Sequence, residues 1–285
     1  MTASAPAILL IGLDDTDNPD SRGTGHLARV LLQECGRRGL APIGVTRHQL
    51  LLDSRIPYTS HNSSACVAVR AWHKPPALPG DSPVPEGESP GNAGGVGRHG
   101  QDARGTHGRD AHAMALTAVE FAFDFVAERS ADGSDPGVCV AAARDVPAEL
   151  TDFGLRATRE VLQMADAVAA AGRAGVALRP LGGTGLGVIG ALAAVGLRAG
   201  GNDGRLIESP GLRDLPDRVA AADLLRIGIA LDHVGDRPVA DDDAYETLGW
   251  VRPRMVDGRP VLPVTWHEER HAWIPLDRKR RSPLE

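Results

Sequence analysis

The stretch from Ala7 to Leu13 is unbroken apolar sequence that stops abruptly at Asp14-Asp15-Thr16-Asp17. A short run of Ile and Leu reads as a buried strand. Three carboxylates at its C-terminal edge must then face solvent or a cation, because close carboxylates repel one another. The next segment, Asn18-Pro19-Asp20-Ser21-Arg22-Gly23-Thr24-Gly25-His26, is rich in turn formers and runs into a helical pattern at Leu27, Val30, Leu31 and Leu32. A strand, an acidic edge, a polar loop and a helix N-terminus together describe a nucleotide corner. Hard oxygen ligands so arranged suit Mg²⁺, which typically arrives with phosphate. The competing reading is an ordinary Asp/Asn/Pro/Gly turn.

The rest of the chain sets bounds on that corner. Its 285 residues fit one large domain or two modest ones. Hydrophobic residues make up 42% but aromatics only 4%, so Leu, Val, Ile and Ala must build most of the core. No apolar run approaches the roughly 20 residues of a membrane helix, and the first residues lack the basic lead-in of a secretory signal. Cys35, Cys66 and Cys139 are far apart and form no CxxC pair. That pattern fits a reduced, cytoplasmic protein with neither a zinc ribbon nor a disulfide framework. A net charge of −6 gives no global footprint for nucleic acid, although a local basic face remains open.

Strand signals recur at Ile43 to Leu52, Ala65 to Trp72 and Gly137 to Ala143, and helical patterns at Leu27 to Arg38, Ala111 to Arg129 and Pro147 to Ala171. The alternation predicts an α/β fold, a mixed sheet flanked by helices, over residues 1–200. Residues 74–110 are Pro-, Gly-, His- and Ser-rich and read as a flexible insertion, with His99 and His107 in a solvated linker. Residues 201–285 form a C-terminal extension of unassigned role. Ala220 to Val234 fits a helix or a strand. Val251 to Val264 reads as a hairpin turned at Asp257-Gly258, its prolines marking edge strands.

Two further segments carry chemistry. Gly182-Gly183-Thr184-Gly185-Leu186-Gly187 opens onto a helix of small residues that must pack very closely. Its amides, at Gly183, Thr184, Gly185 and Gly187, are candidates to cradle a phosphate. It is neither a Walker A loop nor a clean dinucleotide fingerprint, and a tight packing turn is the alternative. The loop from Asp53 to Ser64 is dense in hydrogen-bond donors and adds Asn62 and Ser63.

Taken in order, Gly12-Leu13-Asp14-Asp15-Thr16-Asp17, Gly23-Thr24-Gly25-His26-Leu27-Ala28, Arg55-Ile56-Pro57-Tyr58, Asp135-Pro136-Gly137, Val161-Leu162-Gln163 and Gly185 to Gly196 resemble the N-terminal kinase domain of the archaeal 2-agmatinylcytidine synthetases, which modify an isoleucine tRNA. The resemblance covers roughly residues 7–200. It implies ATP binding with Mg²⁺ and phosphorylation of a cytidine oxygen that agmatine then displaces. By position, Asp14, Asp15 and Asp17 would hold metal and phosphate, with Asp15 and Thr24 in the reaction. Thr24 would sit at the family's self-phosphorylated threonine, or else cap its helix.

The chain also departs from that family. It carries Thr184 and Leu186 where the family has basic residues, and His61 and Asn62 near an expected Arg. Arg22, Arg47, Arg55 and Arg179 are the cations available to compensate, and His26 and His61 are the histidines nearest the corner. No zinc ribbon or oligonucleotide-binding barrel is recognisable, and Arg278-Lys279-Arg280-Arg281 reads as a solvated tail. The expectation is therefore a stand-alone, ATP-dependent, kinase-like or ligase-like enzyme acting on an oxygen of a small substrate. The alternatives are a non-catalytic nucleotide-binding protein and a tRNA-modifying enzyme.

Overall fold

The computed structural model describes residues 7–56, 62–70, 117, 119–247 and 251–276. The expected insertion, His61 and the basic tail lie outside them. Among the described residues no helix is long and apolar enough to cross a membrane.

The first half runs β1 (Ile8–Asp14), α1 (Thr24–Arg37), β2 (Ala41–Gln49), β3 (Ser63–Arg70), α2 (residues 119–129) and β4 (Gly137–Ala142). The strands lie in the order β4-β1-β3-β2, each antiparallel to its neighbour. This is a ferredoxin-like split βαβ arrangement. β1 is central and covered on both sides, which is why its apolar run is unbroken. Leu9, Ile11 and Leu13 pack beneath α1 and α2. Leu10, on the other face, joins Cys66, Ala68 and Cys139 against the remaining helices.

Those helices are α3 (Ala148–Ala157), α4 (Met164–Ala174) and α5 (Gly187–Gly200), with β5 (Ala177–Pro180) pairing β4 at one edge. The single helix expected over Pro147 to Ala171 is two. The chain leaves α3 at Thr158 and restarts α4 after Gln163, whose backbone N–H donates to Asp166 Oδ2 at 3.0 Å. α5 presses its small residues onto the sheet. A Cβ at Gly12 would lie 2.1 Å from the Ala191 carbonyl oxygen, and one at Gly196 1.8 Å from that of Leu150.

The C-terminal stretch joins the same sheet. It contributes β6 (Arg205–Glu208), β7 (Arg218–Ala220), α6 (Ala221–Arg226), β8 (Ala230–Val234), β9 (Ala244–Glu246), β10 (Arg254–Val256), β11 (Arg259–His267) and β12 (Ala272–Pro275). β6 pairs with β2 and with β10, so twelve strands form one open, mixed sheet among the described residues. Ala220 to Val234 is both of the expected alternatives, a short helix and then a strand. The hairpin turns at Asp257 and Gly258, both at positive φ as a type I′ turn requires. Its strands are not edges, because β10 lies between β6 and β11, and β11 also pairs β8 and β12. Prolines survive there as acceptors: Leu206 N–H donates to Pro253 O at 2.8 Å and Leu276 N–H to Pro263 O at 2.9 Å. A separate apolar core including Tyr245, Met255 and Trp273 closes this end. Asp243 anchors it, accepting from both Arg237 terminal nitrogens at 2.6 and 2.8 Å and from Trp273 Nε1 at 2.9 Å.

Candidate functional site

A cleft of about 210 Å³ opens at the C-terminal end of β1. Asp14, Asp15 and Asp17 form its acidic corner, Asn62, Ser63 and Arg55 one rim, and Leu50, Ile56, Val161 and Leu162 an apolar wall. Gly187 and Gly190, from the first turn of α5, form the floor. The break between α3 and α4 is what turns Val161, Leu162 and Gln163 into this wall, a feature that helical periodicity alone did not show.

The acidic corner is under electrostatic tension. Asp14 is partly open to solvent but wrapped by protein, and a Cβ on Gly190 would lie 1.7 Å from its Oδ2. Burial, reinforced by the charges of Asp15 and Asp17, raises the Asp14 pKa to about 8. Burial and the charges of Asp135 and Asp17 raise that of Asp15 to about 6. Asp15 also holds φ at 51°, a left-handed backbone that costs an Asp little but is uncommon. Carboxylates so placed gain from a cation. Among the described residues, however, no group of three His, Cys, Asp or Glu side chains is arranged to hold a metal by itself.

Asp17 is partly committed elsewhere. Its Oδ1 accepts the Thr24 hydroxyl at 2.8 Å and the Thr24 N–H at 3.3 Å. The same hydroxyl oxygen accepts the Thr16 N–H at 3.2 Å and the Thr16 hydroxyl at 3.1 Å. Thr24 is 6% exposed and does not line the cleft. Nor is it the cap of α1, which is Gly23. Instead it fastens the acidic turn to the start of the helix.

The Gly-rich turn is likewise occupied by the protein's own anion. The Asp135 carboxylate accepts the Gly185 N–H at 2.6 Å, the Leu186 N–H at 3.3 Å and the Thr184 hydroxyl. Gly183, Thr184 and Gly185 stand outside the cleft lining, and Gly187 within it. Gly187 has a steric task as well, because its Cβ would fall 2.1 Å from the Asp135 carbonyl oxygen. Asp135 N–H also donates to Asp15 O at 3.1 Å, so the two turns are sewn together.

Asn62 and Ser63 are both at the rim. Asn62 Nδ2 donates to Leu51 O at 2.7 Å, closing the base of its loop, and Ser63 Oγ accepts Arg47 Nε at 2.9 Å. Of the candidate cations, Arg55 lines the cleft while paired with Asp53, and Arg47 lies within the field of Asp17. Arg179 is elsewhere, paired with Glu120 over the Phe123 ring. His26 Nδ1 meets Arg29 at 3.3 Å, outside the cleft lining.

No family model matches the chain, and no curated protein matches it. Solved structures do. A complex of TiaS with its tRNA and ATP is 21% identical with a TM-score of 0.45, the match covering 67% of this chain and 36% of that one. A complex of TiaS with tRNA, AMPCPP and agmatine is 17% identical at a TM-score of 0.45, covering 77% and 44%. A tRNA fluorescent labeling enzyme is 21% identical at 0.44, covering 66% and 36%. The chain thus spans less than half the length of each of these solved proteins.

Proposed function

We propose that the chain is a Mg·ATP-dependent phosphotransferase that activates an oxygen atom of a nucleotide within RNA. The observation that carries the reading is the cleft, where an apolar wall suited to a base runs into the crowded carboxylates Asp14 and Asp15. Mg²⁺ typically takes one or two carboxylates, keeps several waters and completes its shell with phosphate oxygens, so two carboxylates short of a full cage fit it. Such a cation would supply neutralisation of phosphate charge, most of what phosphoryl transfer asks of a site. Asp14 and Asp15 would hold it, Gly190 leaves room for the Asp14 carboxylate, and Asp17 with Thr24 fixes the turn.

The acidic net charge favours a small acceptor, but a chain average says little about one face of a molecule. The motif resemblance supports an RNA acceptor. TiaS binds tRNA, ATP and agmatine in its complexes, and those ligands name the first substrates to try. The test is ATP consumption with Mg²⁺, resolving ADP, AMP and pyrophosphate, with and without tRNA, and mass spectrometry of the Thr24 peptide. Turnover is expected in the parent. Asp15→Asn should lower Mg²⁺-dependent nucleotide binding at least tenfold. Equal binding by that variant would reduce the acidic corner to a turn, and binding without turnover under every condition would leave a nucleotide sensor.

A further inference from the structure

Arginines from distant parts of the sequence meet on the α1 side of the sheet, beside the cleft. Arg47 lies directly opposite Arg205 across β2 and β6, and Arg205 opposite Arg254 across β6 and β10. Residues directly opposed in antiparallel strands share a face. That face is the α1 side, because Val45, two residues from Arg47, and Ile207, two from Arg205, both pack under α1. With strands about 4.8 Å apart, the row spans roughly 10 Å. Like charges set directly opposite one another repel, so the row concentrates positive potential on this face.

The row is widened from both sides. Arg29 stands on α1, which lies over β6: a Cβ on Gly25 would be 3.3 Å from Ile207 Cδ1. Arg213 follows β6 and reaches back to it, Nη2 to Ile207 O at 3.1 Å. The charge of Arg213 acts on Arg29, and those of Arg47, Arg213 and Arg29 act on Arg252. Burial first, and these neighbours next, push both pKa values down. Among the described residues, Glu208 pairs with Arg213 at 2.7 Å and its charge also acts on Arg29, while Asp232 meets Arg254 at 3.6 Å in an exposed contact worth little by itself. At the cleft end, Arg47 holds Ser63 and feels Asp17, two cleft-lining residues.

We propose that this surface, centred on Arg29, Arg47, Arg205, Arg213, Arg252 and Arg254, is the docking site for the phosphodiester backbone of a polynucleotide, which enters the cleft past Ser63 and Asp17. A mononucleotide would use only part of a surface this wide. The position also complements the Gly-rich turn, three of whose donors are spent on Asp135, because cationic charge is supplied by β2, α1 and the C-terminal stretch. The proposal gives residues 201–256 a task and rests on the reading of the cleft as one that modifies a nucleotide in RNA.

The test is fluorescence anisotropy of the full chain with labelled single strands of about 20 nucleotides, RNA and DNA in parallel, titrated between about 50 and 200 mM salt. The double variant Arg213→Ala/Arg254→Ala is expected to bind at least tenfold more weakly, its log–log salt slope flattened by about 0.7 for each lost phosphate contact. Arg213→Lys/Arg254→Lys, which keeps the charge, should retain the slope and so separates charge from folding. Unchanged affinity and slope in the alanine variant overturns the proposal. So does a parent that binds neither strand, or one whose patch variants lose only pyrophosphate or ATP. ATP turnover in the same samples separates the two claims: turnover without strand binding sinks the docking surface alone, and patch-dependent strand binding without turnover sinks the phosphotransferase alone.

Discussion

Thr24 shows how a residue's chemistry depends on what already surrounds it. A threonine beside an acidic turn looks like an acceptor or a cap; here its oxygen is a junction of one donated and two accepted hydrogen bonds. Thr24→Val should therefore cost about 1–3 kcal/mol by orphaning buried groups of Thr16, whereas Thr24→Ser should stay near the parent. Urea unfolding measures both. His48 makes a second case. It is fully buried between Thr46 Oγ1 at 2.9 Å and Asp203 Oδ1 at 2.8 Å, and burial depresses its pKa despite the Asp203 carboxylate. The folded protein then holds this imidazole neutral while the unfolded chain protonates it. Stability contributed by His48 is complete above the unfolded pKa near 6.5 and falls as the pH drops below it, at up to about 1.4 kcal/mol per pH unit. Asp14 and Asp15, with raised pKa values, oppose that trend over the same range, so the His48 slope is read from the difference between thermal melts of parent and His48→Gln from pH 5 to 8, which should shrink as the pH falls.

Among the elements, α5 does two separable jobs. Gly196 lets the helix touch the α3 backbone, and Gly190 makes room for the Asp14 carboxylate. Gly196→Ala should destabilise by about 1–3 kcal/mol through overpacking. Gly190→Ala should act on function as well as stability, since it would displace the whole Asp14 carboxyl group, and Mg·ATP titration beside unfolding curves distinguishes the two. How much could be read from the chain follows from the range of each signal. β1, its acidic edge, the turn at Asp257-Gly258 and the close packing of α5 were legible because each is written in adjacent residues. What fills the Gly-rich turn was not, because Asp135 arrives from fifty residues upstream by way of β4. Nor was the α3–α4 break: the apolar spacing continues across it, and only the Gln163–Asp166 cap marks the restart. The edge-strand reading of the prolines failed because strand neighbours are set by topology, and a proline retains its carbonyl.

At the scale of the molecule, the C-terminal stretch is part of the sheet that builds the site. Ile207 belongs to the core beneath α1, and β6 covers the open side of β2. A chain ended at residue 200 should accordingly be insoluble or lack cooperative unfolding by circular dichroism. Should it fold and bind Mg·ATP like the parent, β6 is an accessory. The β2–β6 pairing joins segments separated by some 160 positions, from Gln49 to Arg205 and beyond. On a ribosome adding roughly 5–20 residues per second, that interval is roughly 8–30 s. For that time the nascent chain exposes an unpaired strand edge flanked by an unfinished core, the state in which a sheet most readily recruits a stranger. Slowed translation upstream of residue 205 should therefore lower the yield of folded protein without changing the stability of what does fold, as soluble yield beside unfolding curves would show.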